Sequence, residues 1–170
     1  MVPEIKKILF TTDLTKESQK AFAYAVSLAK HYNASITILH VMEEASFSTG
    51  TKFEDLLGQE KWKQLKEMHE QQARQVLIGK QKEATFIGEA LGNFCEEAQD
   101  RMGCFGVDDV VVTKGGVVDG IINEAQSRQC DVIVMGYHIR GKLEETLAGT
   151  RARKVLRRSK IPIFMVCISD

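Results

Sequence analysis

The side chains best placed for chemistry fall in three short loops, each following an apolar run: Thr11-Thr12-Asp13-Leu14, His40-Val41-Met42-Glu43, and the stretch from Gly136 to Thr150. The third loop carries Gly136, Gly141 and Gly149, with Arg140 and Lys142 among them, and it leads to Thr150 and Arg151 at a helix start. Glycines let main-chain amides approach a ligand closely. The free N–H groups and positive dipole end of a helix N-terminus favour a phosphate. This is binding chemistry rather than bond-making chemistry. Tyr137 and His138 sit in the same loop without a positioned nucleophile, and acid–base catalysis needs a paired geometry.

Other chemistries find little support. His31, His40, His69 and His138 are scattered, with no H-E-x-x-H spacing, so no metal site is expected. Cys95, Cys104, Cys130 and Cys167 form no C-x-x-C pair and read as reduced structural thiols within helical or extended stretches. The basic run Arg151, Arg153, Lys154, Arg157, Arg158 and Lys160 reads as a solvated helix face, with Arg151 alone a phosphate contact. Neither G-x-x-x-x-G-K-[ST] nor G-x-G-x-x-G follows the first strand. The S-G-G-x-D-S loop of ATP-pyrophosphatases and nucleotidyl-transfer enzymes is also missing. No catalytic residues are therefore expected.

The elements that must hold these loops alternate between short β-branched runs and helix-period segments, which predicts a parallel α/β sheet. Strands are expected at Ile5 to Thr11, Ile36 to Met42, Val110 to Thr113, Asp131 to Met135 and Ile161 to Val166. Their near-continuous apolar character suits strands covered on both faces. Thr15 is the expected cap of the first helix and Asn33 its stop, with Phe22, Ala25, Val26, Leu28 and Ala29 as the apolar stripe. Val118 to Ala125 and Leu147 to Leu156 are expected to form two more helices, the latter ended before Pro162. In such a sheet, ligands bind beyond the carboxyl ends of the strands.

The segment from residue 44 to 106 exceeds what one crossover needs and reads as an enlarged helical connection. Ala45 to Lys52 reads as a loop, Phe53 to Leu77 as a long polar helix, and Leu91, Phe94, Cys95, Ala98 and Met102 as a further helical face after repeated glycine breaks. At 170 residues the chain reads as one domain, residues 1–170. Its 23 basic and 23 acidic side chains cancel, removing the cationic field of a general nucleic-acid or membrane-surface binder. No apolar run of membrane-spanning length is present, and Glu4, Lys6 and Lys7 interrupt any signal core, so a cytoplasmic protein is expected.

Three blocks, KKILFTTDLTKESQKAFAYAVSLAK, ITILHVME and CDVIVMGYHIRGKLEETLAGTRARKVLRRSKIPIFMV, resemble the universal stress protein family of the UspA type. The resemblance implies an adenine nucleotide alpha hydrolase-like fold: five parallel strands with helices on both faces. It also implies a homodimer joined through the last strand, here Ile161 to Cys167. Nucleotide-binding members hold ATP or AMP with a G-x2-G-x9-G-[ST] loop. Mapped here, Gly136 and Gly149 keep the outer glycines, Thr150 is the phosphate hydroxyl, Thr12 and Asp13 form the polar turn near ribose and adenine, and Val41 meets the adenine through its main chain. Met135, Arg140, Gly141 and Arg151 complete the expected nucleotide site.

The middle glycine of the pattern is replaced by Ile139. A β-branched residue there crowds a phosphate and resists positive φ. Two readings therefore stand: a stress-response protein that binds ATP or AMP, with or without Mg, and acts through an unidentified protein partner; or a family member that binds no nucleotide and serves as an interaction module. Neither a nucleic acid nor a membrane is an expected partner.

Overall fold

The computed structural model describes residues 2–43, 58–61, 63–64, 80–138 and 150–168. Its elements in chain order are β1 (Lys7–Thr11), α1 (Ser18–Tyr32), β2 (Ser35–Met42), α2 (Lys80–Met102), β3 (Gly106–Lys114), α3 (Val117–Ser127), β4 (Val132–Tyr137), α4 (Thr150–Arg158) and β5 (Ile163–Cys167). The five strands form one sheet in the order β3-β2-β1-β4-β5, every neighbouring pair parallel. The expected sheet is present.

Strand alternation divides the core between two faces. Ile8, Phe10, Ile36, Ile38, Val132 and Val134 pack with α1 and α2. Leu9, Leu39, Ile133 and Met135 point the other way and pack with Ile121 and Ala125 of α3 and Ala152 and Val155 of α4. Each face thus removes an aliphatic layer from water, the dominant favourable term in folding. Phe22, fully buried on α1, joins the helical layer to the sheet: its ring centroid lies 5.0 Å from Phe10, 5.1 Å from Phe94 and 5.8 Å from Phe105.

Element limits shift where local signals mislead. β3 is longer than expected because it is an edge strand whose polar start hides it. Its register slips between Ile36 and Thr37, leaving Asp108 as the extra residue of a bulge, a common device at sheet edges. α2 runs unbroken through Gly88 and Gly92, which were expected to interrupt it, because Ile87, Leu91, Phe94 and Ala98 anchor it on the sheet. Thr15 does not cap α1 with its side chain. The N-cap is Glu17, without a side-chain bond, after a tight turn in which Ser18 N–H donates to the Thr15 carbonyl. Asn33 does end α1, in the left-handed conformation with φ 51°.

Within the enlarged connection, 59–61 and 63–64 are helical and α2 packs on the chain's own sheet, while the loop expected at Ala45 to Lys52 lies outside the described residues, as does most of Phe53 to Leu77. Cys95 and Cys130 are buried; burial pushes the Cys95 thiol up to about 12 and raises that of Cys130, so neither is a thiolate at neutral pH. Cys104 differs from the expectation: it is exposed, in the connection between α2 and β3. Among the described residues, no helix is long and apolar enough to cross a membrane and no His/Cys/Asp/Glu group has the makings of a metal site.

Candidate functional site

The strand order fixes where a ligand crevice can form. The chain lays β2 and β3 on one side of β1, then returns to place β4 and β5 on the other. The helix that follows β1, α1, packs on one face of the sheet and the one that follows β4, α4, on the other, the arrangement that opens a gap beyond the carboxyl ends of those two strands. Thr11 and Met135 are register partners at that edge. The Thr12-Asp13 turn and Gly136 emerge directly beyond them.

The β1 turn is tightly determined. Thr12 is buried: its N–H donates to the Leu39 carbonyl at 2.9 Å, and its Oγ1 accepts from Leu14 N–H at 3.0 Å and shares a 3.1 Å hydrogen bond with Ser18 Oγ. Its hydroxyl and its main-chain N–H are therefore both engaged inside the fold. Asp13 stays exposed, with Oδ1 accepting from Thr15 N–H at 3.1 Å and Thr15 Oγ1 at 2.7 Å. One carboxylate oxygen thus fixes the turn. Between them, fully buried Leu14 takes φ 66°, an uncommon conformation for a residue with a Cβ. Such strain persists where surroundings over-determine the backbone, and it clusters at functional sites.

His40 supports the same turn from β2. It is 9% exposed, and its Nδ1 lies 2.9 Å from the Thr12 carbonyl. Val41 faces the other side of the sheet and packs beneath α3 so closely that a Cβ on Gly120 would meet Val41 Cγ2 at 2.9 Å. That approach explains a glycine inside α3. Beside it, Thr113 Oγ1 is buried without a hydrogen-bond partner among the described residues. An orphan buried hydroxyl calls for an explanation, since leaving one unmade costs about 1–3 kcal/mol.

On the far side of the gap, Met135 is buried in the layer under α3 and α4. Gly136 has a packing reason for being glycine: an added Cβ would sit 2.7 Å from Ile168 Cδ1, in the segment that follows β5 and whose N–H donates to the Tyr137 carbonyl at 3.0 Å. Thr150 opens α4, and Arg151 in its first turn pairs with Glu43, Nη2 to Oε2 2.5 Å. Ile139, Arg140, Gly141 and Gly149 lie outside the described residues.

The structure thus brings together Thr12, Asp13, Val41, Met135, Gly136, Thr150 and Arg151 at one edge of the sheet. Sequence reading passed over Ser18, His40 as a support, Glu43 as a partner of Arg151, and Ile168. Only Glu43 had a usable signal, its position directly after an apolar strand.

Residues 4–166 match the model of the Universal stress protein family. The chain is 27% identical over 161 residues to Universal stress protein MJ0577 of Methanocaldococcus jannaschii, covering 95% of this chain and 94% of that protein. It is 25% identical over 177 residues to the stress response protein NhaX of Bacillus subtilis, covering 94% and 96%. Among solved structures, a universal stress protein in complex with cAMP superposes with a TM-score of 0.61 at 18% identity, covering 98% of this chain and 100% of that one. UspA from Lactobacillus plantarum gives 0.58 at 16% identity, covering 97% and 99%. These structural likenesses concern the fold.

Proposed function

We propose, from the premise that this chain belongs to the universal stress protein family, that it binds an adenine nucleotide, ATP or AMP with or without Mg, beyond the carboxyl ends of β1 and β4. It acts as a cytoplasmic homodimer, one domain over residues 1–170, that presents its nucleotide state to a protein partner during stress. The observation that carries this reading is the switch of strand order between β1 and β4, which sets the strained Asp13 turn beside the Met135-Gly136 strand end. A family member of the same fold is held in complex with cAMP, an adenine nucleotide.

Dedicated catalysis is not part of the proposal. The Thr12 and Ser18 hydroxyls bond each other and local main chain, and His40 Nδ1 faces a carbonyl, so neither hydroxyl is set up as an activated nucleophile. The two sheet edges support the dimer. β3 is guarded by Asp108, Asp109 and a bulge, whereas β5 presents Ile163, Phe164, Met165, Val166 and Cys167 without a charge, and Phe164 is 37% exposed against Tyr24. An unguarded apolar edge favours pairing with another chain. The free thiols accord with a reducing compartment.

Titration with a fluorescent ATP analogue tests the nucleotide reading. Saturable binding below millimolar concentration is expected, displaced by ATP and AMP. Ile139→Gly is expected to tighten it roughly tenfold, since a left-handed position costs a residue with a Cβ about 1–2 kcal/mol relative to glycine. Absence of saturable binding at millimolar nucleotide would contradict the reading. Binding that appears only in Ile139→Gly would favour the second one, an interaction module whose isoleucine has closed the site.

A further inference from the structure

The first turn of α4 has inverted electrostatics. It holds no acidic side chain and carries Arg151 where the helix dipole favours an anion. Glu43, the residue after β2, supplies that anion from across the sheet edge, its Oε2 2.5 Å from Arg151 Nη2. β1 lies between β2 and β4 in the sheet, so the pair joins elements on either side of the β1 turn. A carboxylate therefore already holds the guanidinium that a phosphate of the proposed ligand would engage.

We infer that Glu43 is a resident competitor for the phosphate position, holding Arg151 when no nucleotide is bound and setting which adenine ligands bind well. The inference rests on the nucleotide reading above. Carboxylate and phosphate are both acceptor-only anions for the guanidinium fork, so one replaces the other at Arg151. The two side chains are 40% and 60% exposed, which makes the pair a removable occupant rather than a structural clamp. Once displaced, Glu43 remains tethered beside the ligand and repels negative charge. Its penalty therefore grows from adenosine to AMP to ATP.

Glu43→Gln keeps the size of the side chain and one acceptor oxygen and removes its charge. Wild type and Glu43→Gln are titrated calorimetrically with adenosine, AMP and ATP, at low salt and again at about 0.5 M salt, where the Debye length is only a few ångström. ATP affinity is expected to rise about two- to fivefold in the variant, AMP affinity by less and adenosine affinity not at all, with the ATP gain shrinking at high salt. An unchanged urea midpoint separates this from a change in folding. ATP binding in both proteins with equal affinity, weaker ATP binding in the variant, or an equal change for all three ligands would overturn the role of Glu43 while leaving the nucleotide site standing. If none of the ligands binds either protein, the nucleotide reading and the inference fall together. ATP binding only in Glu43→Gln would support the competitor role in its strongest form.

Discussion

Leu14→Ala is expected to lower the free energy of unfolding by about 2–5 kcal/mol, the range for emptying a buried leucine site. Leu14 is fully buried, so the surroundings lose its contacts without water to replace them. Its φ of 66° adds a second expectation. Alanine keeps a Cβ, and with it the left-handed cost of about 1–2 kcal/mol, whereas glycine sheds that cost. Leu14→Gly should therefore be no less stable than Leu14→Ala, the reverse of the order at an ordinary buried position. Urea unfolding of the pair decides it: an alanine variant more stable than the glycine variant by over about 1 kcal/mol would show that the turn relaxes away from positive φ. The turn also sets Asp13, because Leu14 N–H binds Thr12 Oγ1 and the Asp13 carboxylate binds Thr15. Both variants should weaken nucleotide binding through looser positioning of Asp13.

Phe22→Ala is expected to cost about 3–5 kcal/mol. The ring is fully buried and in contact with Phe10 of β1, Phe94 of α2 and Phe105 at the entry to β3. Each tilted or edge-on pair is worth about 0.5–1.5 kcal/mol beyond the area it hides. Natural domains are stable by only about 5–15 kcal/mol, so this single truncation removes a large share. A measured loss below about 1.5 kcal/mol would mean that α1 and α2 are held to the sheet by their aliphatic contacts and not by this cluster.

The sheet was legible because β1, β2 and β4 are short apolar runs covered on both faces and β5 is a short uncharged apolar run, and no helix of such length competes with that pattern. β3 was read too short because Gly106, Asp108 and Asp109 disguise an edge strand, whose ladder comes from β2 and not from its own propensity. Gly88 and Gly92 read as breaks because a local rule cannot weigh the burial of Ile87, Leu91, Phe94 and Ala98, which keeps α2 continuous. The loop-after-strand rule grouped the Asp13 turn with the end of β4, and Thr11 and Met135 are register partners there. The direction of individual side chains was not legible. The Thr12 hydroxyl turns inward to Ser18, Ile168 lies on Gly136, and Glu43 reaches Arg151 across more than a hundred residues of chain. Those are long-range contacts without a local signature, and the residue-type reading of Gly136 as a phosphate glycine missed that packing alone already requires it.

The most direct measurement of the central claim is a map of amide chemical-shift changes during titration with Mg-ATP. Binding beyond β1 and β4 predicts saturable shifts at Thr12, Asp13 and Leu14, at Val41 to Glu43, at Gly136 and Tyr137, and at Thr150 and Arg151, with the amino ends of the strands around Lys7, Ser35 and Val132 unmoved. Shifts confined to those amino ends, or none at millimolar nucleotide, would contradict it.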